Sequence, residues 1–301
     1  MFTLVEPCCG SASLSLHLLG ARRPILPYQG SKWRFRRGLS EMVEAMGYVG
    51  PPSRVELSDV GPWGRTMHML LRPASLLDVI EHLRGFASED ARTVYDRLNR
   101  GPAASDDALY SAQYLFLQRL SFSGKAVAER DGCWASPGFN ISSAYGVAAT
   151  DRFGQVKPMV PSLIRVLTGY GEQLHLDRSV RCEQRPASLP VKPLNGPTIV
   201  YLDPPYAGST RYPNGDMDRP AVVELAVAWS DAGASVIVSE GQAVQELQDR
   251  GWQARVLDRG RKDTSPFRGK QAEWVTYRAR PSSADVTLDG AAKFAGLNPP
   301  V

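Results

Sequence analysis

Pro197-Thr198-Ile199-Val200-Tyr201-Leu202-Asp203-Pro204-Pro205-Tyr206 carries the clearest structural signal in the chain. Ile199 to Leu202 form an unbroken apolar run, short enough for a strand and bounded by prolines that cannot continue a ladder. A strand apolar on both sides belongs in a parallel sheet with helices on its two faces. Outward from it, Phe2-Thr3-Leu4-Val5 reads as a second buried strand, ended by Glu6-Pro7. Arg54–Leu57 reads as a third that closes at Asp59, and Ser235–Ser239 as a fourth. Helical periodicity fills the gaps: Leu14 to Leu19, then Trp33, Phe35, Leu39, Met42, Val43 and Met46, then Val222–Trp229 and Gln242–Arg250. Residues 254–258 and 273–279 fit a closing hairpin around a long basic loop. The fold class expected is α/β, a Rossmann-like, mostly parallel sheet.

Residues 63–185 break the alternation. Positions 63–127 carry helical patterns in three or four pieces, the longest from Asp107 to Phe122. Residues 128–160, rich in Gly, Ser, Asn and Asp, read as long loops, and 161–177 as helical again. The expected division is a sheet domain of residues 1–62 and 186–280, a mainly helical insertion over 63–185, and a frayed tail at 281–301.

Composition sets the outer limits. The 301 residues are 43% apolar and 22% charged, with 27 Gly and 23 Pro, well below the roughly 25–30% Pro plus Gly of low-complexity chains. No run approaches the ~18 apolar residues of a membrane span. Four cysteines, Cys8, Cys9, Cys133 and Cys182, are too few for a disulfide scaffold. They form no CxxC pair, and no metal site is expected. A reduced, cytoplasmic setting is the simplest expectation. A net charge of +4 permits a polyanionic partner without requiring one.

The chemistry concentrates at Asp203-Pro204-Pro205-Tyr206. Ligands of open α/β sheets sit beyond the carboxyl ends of the strands. The prolines fix the backbone and leave their carbonyls free to accept hydrogen bonds. Asp203 adds an acceptor carboxylate and Tyr206 a flat ring, a set suited to a planar, amine-bearing ring. A turn that merely caps a strand is the plainer alternative.

This tetrapeptide resembles the catalytic motif of S-adenosylmethionine-dependent amino-group methyltransferases. Further blocks resemble the Dam-type (class alpha) DNA adenine-N6 enzymes. Leu4-Val5-Glu6-Pro7-Cys8-Cys9-Gly10-Ser11-Ala12-Ser13 is similar to their glycine-turn cofactor motif, with Ala12 where the family has a second glycine. Pro27-Tyr28-Gln29-Gly30-Ser31-Lys32 is similar to an aromatic-x-Gly-Gly-Lys motif. That motif implies packing of Tyr28 on the cofactor and approach of Lys32 to its carboxylate end. Asp59, at a strand end, fits the ribose hydroxyls of a nucleoside cofactor. The glycine turn here precedes the Tyr28–Lys32 block, the reverse of the usual family order. Pro7-Cys8 also resembles the nucleophile pair of cytosine carbon-5 enzymes, but it follows the wrong strand; Cys8 and Cys9 are read as small turn residues.

Tyr114–Lys125 resembles the family helix that ends in Phe-Asn-Gly, with Ser123 for Asn, and Phe139-Asn140 resembles a downstream block. The region from Arg261 to Tyr277 resembles the late loop and closing strand. The resemblance implies methyl transfer from S-adenosylmethionine to adenine N6 of double-stranded DNA, with the base flipped out. The residues it implies are Asp203, Pro204, Pro205 and Tyr206 for catalysis. For the cofactor they are Glu6, Pro7, Gly10, Ser11, Tyr28, Lys32, Asp59 and Asp203. For DNA they are Arg119, Ser123, Gly124, Lys125, Arg130, Asn140, Arg268 and Lys270. A restriction endonuclease, if any, would be a separate chain. RNA or cytosine-N4 methylation, or DNA binding by a silent methyltransferase fold, are the competing readings.

Overall fold

Thr198–Leu202, the strand expected from the sequence, is buried at every residue and lies in the middle of a seven-stranded sheet. The computed structural model describes residues 1–26, 31–140, 159–173, 179–187, 189–190, 194–205, 217–258 and 273–280. In chain order the strands are β1 Thr3–Glu6, β2 Arg54–Asp59, β3 Ala128–Arg130, β4 Cys133–Ala135, β5 Ser179–Gln184, β6 Thr198–Leu202, β7 Ser235–Glu240, β8 Gln253–Asp258 and β9 Glu273–Arg278. The central sheet runs β5-β2-β1-β6-β7-β9-β8. The pairs among β5, β2, β1, β6 and β7 are parallel, and β9 is antiparallel to both β7 and β8.

Alternation along the strands builds two cores. Leu4, Ile199, Tyr201 and Ile237 point to one face; Val5, Val200, Leu202, Val236 and Val238 point to the other. The first face carries α1 (Ser13–Leu18), α2 (Arg36–Ala45, entered through a 3-10 turn Lys32–Phe35), α3 (Pro62–Leu70), α4 (Pro73–Ala87), α5 (Ala91–Leu98), α6 (Asp107–Arg119) and α7 (Met159–Gln173). The second face carries α8 (Arg219–Asp231) and the single turn α9 (Gln245–Gln248). In α2 the buried Leu39, Met42 and Val43, with Phe35 before and Met46 after, make the expected apolar stripe. Gly47, at φ 89°, ends it in the left-handed conformation that glycine adopts without cost.

The structure departs from the sequence expectation in three places. Residues 179–184 were expected within the insertion, yet β5 pairs in parallel with β2 from Arg54↔Ser179 to Asp59↔Gln184 and forms the sheet edge. Its burial alternates poorly, so periodicity gave no strand signal. The segment expected to be loop from 128 holds the hairpin β3–β4, whose three-residue strands are too short to show a period. The longest helix of the 63–127 region is α4, not α6. Within residues 63–185, α3 packs on β2 and β5, and α4 and α6 pack on α3; Trp63, Leu76, Tyr110 and Leu163 share one continuous core with Leu4 and Ile199.

Among the described residues no helix is long and apolar enough to cross a membrane, and no group of three or more His, Cys, Asp or Glu is placed to hold a metal ion.

Candidate functional site

The strand order reverses between β1 and β6: from β1 the chain builds outward through β2 and β5, and from β6 through β7. Such a switch point opens a crevice at the carboxyl edge of the sheet. Val5 is in register with Val200, and Glu6 with Leu57. The turn after Glu6, the end of β2 at Asp59 and the segment after Leu202 therefore leave the sheet side by side.

The first turn is tied from below and from the side. Glu6 is 1% exposed, and its Oε1 accepts from Ser15 N at 2.7 Å and Ser15 Oγ at 2.5 Å. Burial raises its carboxyl from 4.5 to about 7, against the pull of those hydrogen bonds. Cys9 N donates to Ser58 O at 2.9 Å and Ser58 Oγ to Pro7 O at 3.1 Å, which fixes the turn to β2. Asp59 receives Gly10 N at 2.9 Å on Oδ2 and Gly61 N at 2.8 Å on Oδ1. Burial raises the Asp59 pKa, and these two N–H groups oppose the rise.

Gly10 has φ 43°, with open space where a side chain would stand, so its backbone is accessible to a ligand. Ala12 has φ 47° and ψ 43° and is fully buried. The position where the family has glycine does require a left-handed residue, and alanine adopts it under strain. The hydroxyls of Ser11, Ser13 and Ser31 lie within 3.0–3.1 Å of one another and bind the glycine turn to the start of the 3-10 turn.

Lys32 opens that 3-10 turn and points inward. It is 5% exposed, with Nζ 2.6 Å from Asp203 Oδ1 and 3.9 Å from Glu273 Oε1 at the start of β9. The motif resemblance implies Lys32 at the carboxylate end of a cofactor; in the structure the anions beside it are Asp203 and Glu273. Burial raises the Asp203 carboxyl above the ordinary range, and Lys32 draws it back down. Pro204 is buried and Pro205 half-buried beside it. Tyr201, two residues before Asp203 on the same strand, hydrogen-bonds Ser239 of β7 at 2.9 Å.

The Cys8 thiol is pushed up to about 12 by burial and by the charges of Asp59 and Asp203. A thiol held protonated is a poor nucleophile, which agrees with its reading as a turn residue.

A second cluster surrounds the end of α6. Gln118, one helix turn from Tyr114 and buried, donates Nε2 to Gly124 O at 3.2 Å and Lys125 O at 3.1 Å, while its Oε1 accepts from Val127 N at 2.9 Å. These bonds shape the Phe122–Gly124 turn, in which Gly124 has φ 67°. Phe122 N donates to Gly138 O and Asn140 N to Leu120 O, both at 2.8 Å, so the two segments expected to act together lie side by side. Phe122 is 55% exposed, and Lys125 and Arg130 are exposed. Arg119 is half-buried, and desolvation lowers its pKa.

The structure therefore brings Glu6, Pro7, Gly10, Ser11, Lys32, Asp59, Asp203, Pro204 and Pro205 to one edge, and Arg119, Gly124, Lys125, Arg130 and Asn140 around one turn and hairpin. Tyr28, Tyr206, Arg268 and Lys270 lie outside the described residues, as does the side chain of Ser123. The sequence reading missed Ser15, Ser31, Gln118 and Glu273. Gln118 is detectable as a polar residue inside an apolar helix face; Glu273, 241 positions from Lys32, leaves no local trace.

No protein-family model matches the chain, and no curated protein matches it significantly.

Proposed function

We propose that this chain transfers a methyl group from S-adenosylmethionine to N6 of adenine in double-stranded DNA. The observation that carries the reading is the position of Asp203-Pro204-Pro205 at the switch point, ion-paired to Lys32 and level with the Gly10 turn and Asp59. The residues fit the cofactor. Gly10 leaves backbone open, Asp59 retains lone pairs for two ribose hydroxyls, and the carboxylates of Asp59 and Asp203 suit a sulfonium cation. When bound, S-adenosylmethionine supplies an electrophilic methyl group.

The protein's residues do the rest by position and charge. The target amine is stacked inside the duplex, so the base must leave the stack at a cost of a few kcal/mol. Asp203 and the Pro204 carbonyl accept hydrogen bonds from the two amino N–H groups, which turns the nitrogen lone pair out of ring conjugation, and Asp203 takes the one proton that the nitrogen loses on methylation. Lys32 opposes the effect of burial and favours the ionised form of Asp203, the form that accepts. Tyr206, by the resemblance, stacks on the base.

Methyl transfer to unmethylated DNA by wild-type and Asp203→Ala protein tests the reading. The rate is expected to fall about a hundredfold or more in the variant. An Asp203→Ala protein at the wild-type rate would overturn the assignment.

A further inference from the structure

The 3-10 turn and α2 carry their charges the wrong way round for a helix. Arg34, Arg36 and Arg37 follow Lys32 in the first turns, no acidic residue stands among them, and Glu41 and Glu44 occupy the later turns. The helix dipole disfavours cations at the start and anions at the end. Folding alone gives no reason for this order.

Two of the arginines, Arg34 and Arg36, are also held in place. Arg36 stacks its guanidinium 4.8 Å over the Trp33 ring and donates Nη1 to Trp33 O at 2.8 Å. Arg34 stands 4.7 Å over Phe35. Trp33 is in turn packed edge-on against His17 of α1, at 6.2 Å between ring centroids. His17 feels Arg36 and Arg37 strongly enough that, after burial, they are the causes of its lowered pKa. Arg34, Arg36 and Arg37 thus form one positive surface at the head of α2, and the burial and positive charge around His17 favour its neutral form. Arg34 and Arg37 are exposed, while Lys32 at the head of the same turn reaches inward to Asp203.

We propose that this surface, led by Arg34 and Arg37, contacts backbone phosphates of the nucleic acid beside the target base. The inference rests on the function proposed above and adds a contact face on the sheet domain, distinct from the Phe122–Asn140 cluster. Arginine suits such a contact, because its planar, permanently charged fork meets phosphate oxygens in pairs. Stacking on an aromatic ring also removes part of the entropy lost when the contact forms.

Salt dependence of binding tests the proposal. Dissociation constants of unmethylated duplex DNA are measured by fluorescence anisotropy over a series of KCl concentrations. The proteins compared are wild type, Arg34→Gln/Arg37→Gln, and Glu41→Gln/Glu44→Gln on the same helix. Two lost phosphate contacts lower the slope of log K against log salt by about 2. The arginine variant is expected to show that loss, with cofactor affinity unchanged and a melting temperature equal to or above wild type, because unfavourable dipole interactions are removed. The glutamate variant is expected to keep the wild-type slope or exceed it. An arginine variant with an unchanged slope, or one whose binding loss follows a lowered melting temperature, overturns the inference while wild-type DNA binding and methylation leave the function standing. A wild-type protein that binds no duplex DNA overturns both.

Discussion

Lys32 Nζ lies 2.6 Å from Asp203 Oδ1, although the two residues are 171 positions apart. The contact joins the 3-10 turn before α2 to the end of the central strand β6, and it favours the charged form of the residue on which the proposed chemistry depends. Removing one member of so buried a pair leaves the other charge uncompensated.

The first prediction follows from that pair. Asp203 has a raised pKa because it is buried, and Lys32 opposes the rise. The ionised form is the one that accepts amino protons, so activity grows as pH rises through this pKa. In Lys32→Met the opposing charge is gone, the Asp203 pKa climbs further, and the acid limb of kcat/KM moves to higher pH. Activity lost at neutral pH is partly recovered at alkaline pH. A limb that stays in place or moves down contradicts the pairing.

Glu6 offers a stability test independent of activity. Its folded pKa of about 7 exceeds the ordinary 4.5, so protonation favours the fold: the contribution is full below pH 4.5 and is lost as pH rises to about 7. The change is on the order of 3 kcal/mol. Unfolding of the cofactor-free protein by urea is expected to show stability falling across that window in wild type and a flatter profile in Glu6→Gln. The two proteins should be nearest at low pH, with the variant ahead above pH 7.

Asp59 takes Gly10 N and Gly61 N and, in the proposal, the ribose hydroxyls. Replacement by Ala is expected to weaken S-adenosylmethionine binding by about 10- to 100-fold, the worth of hydrogen bonds to a charged acceptor. Isothermal calorimetry reads this directly; wild-type affinity in Asp59→Ala would remove Asp59 from the cofactor site.

Ala12 tests the shape of the turn. At φ 47° and fully buried, the position penalises a β-branched residue by strain and by crowding, so Ala12→Val is expected to cost about 2–5 kcal/mol. Ala12→Gly relieves about 1–2 kcal/mol of left-handed strain but loses a buried methyl and gains unfolded-state entropy. Its net change is expected to stay within about 1 kcal/mol of wild type. Thermal unfolding separates the two variants, and a well-tolerated valine contradicts the conformation.

Much of the sheet was legible because its central strands are uniform. Ile199 to Leu202 and Ser235 to Ser239 are buried on both faces, so their apolar runs stand out without periodicity. The edge strand β5 was hidden because its neighbours cover one side only and Ser179, Arg181 and Glu183 face outward. At the site, Gly10, Asp59 and Asp203 announced themselves by chemical type at strand ends. Their wiring did not: no local pattern says that Glu6 is held by Ser15, or that the cation before α2 finds its anion on β6. Those bonds exist only once the sheet brings distant segments to one edge.

The measurement that tests the central claim most directly is the identity of the methylated nucleoside. Pure protein is incubated with labelled S-adenosylmethionine and unmethylated genomic DNA, the DNA is digested, and the labelled nucleoside is identified by mass spectrometry. The account predicts label in N6-methyl-deoxyadenosine. Label in N4-methyl-deoxycytidine, or no label in the DNA, would contradict it.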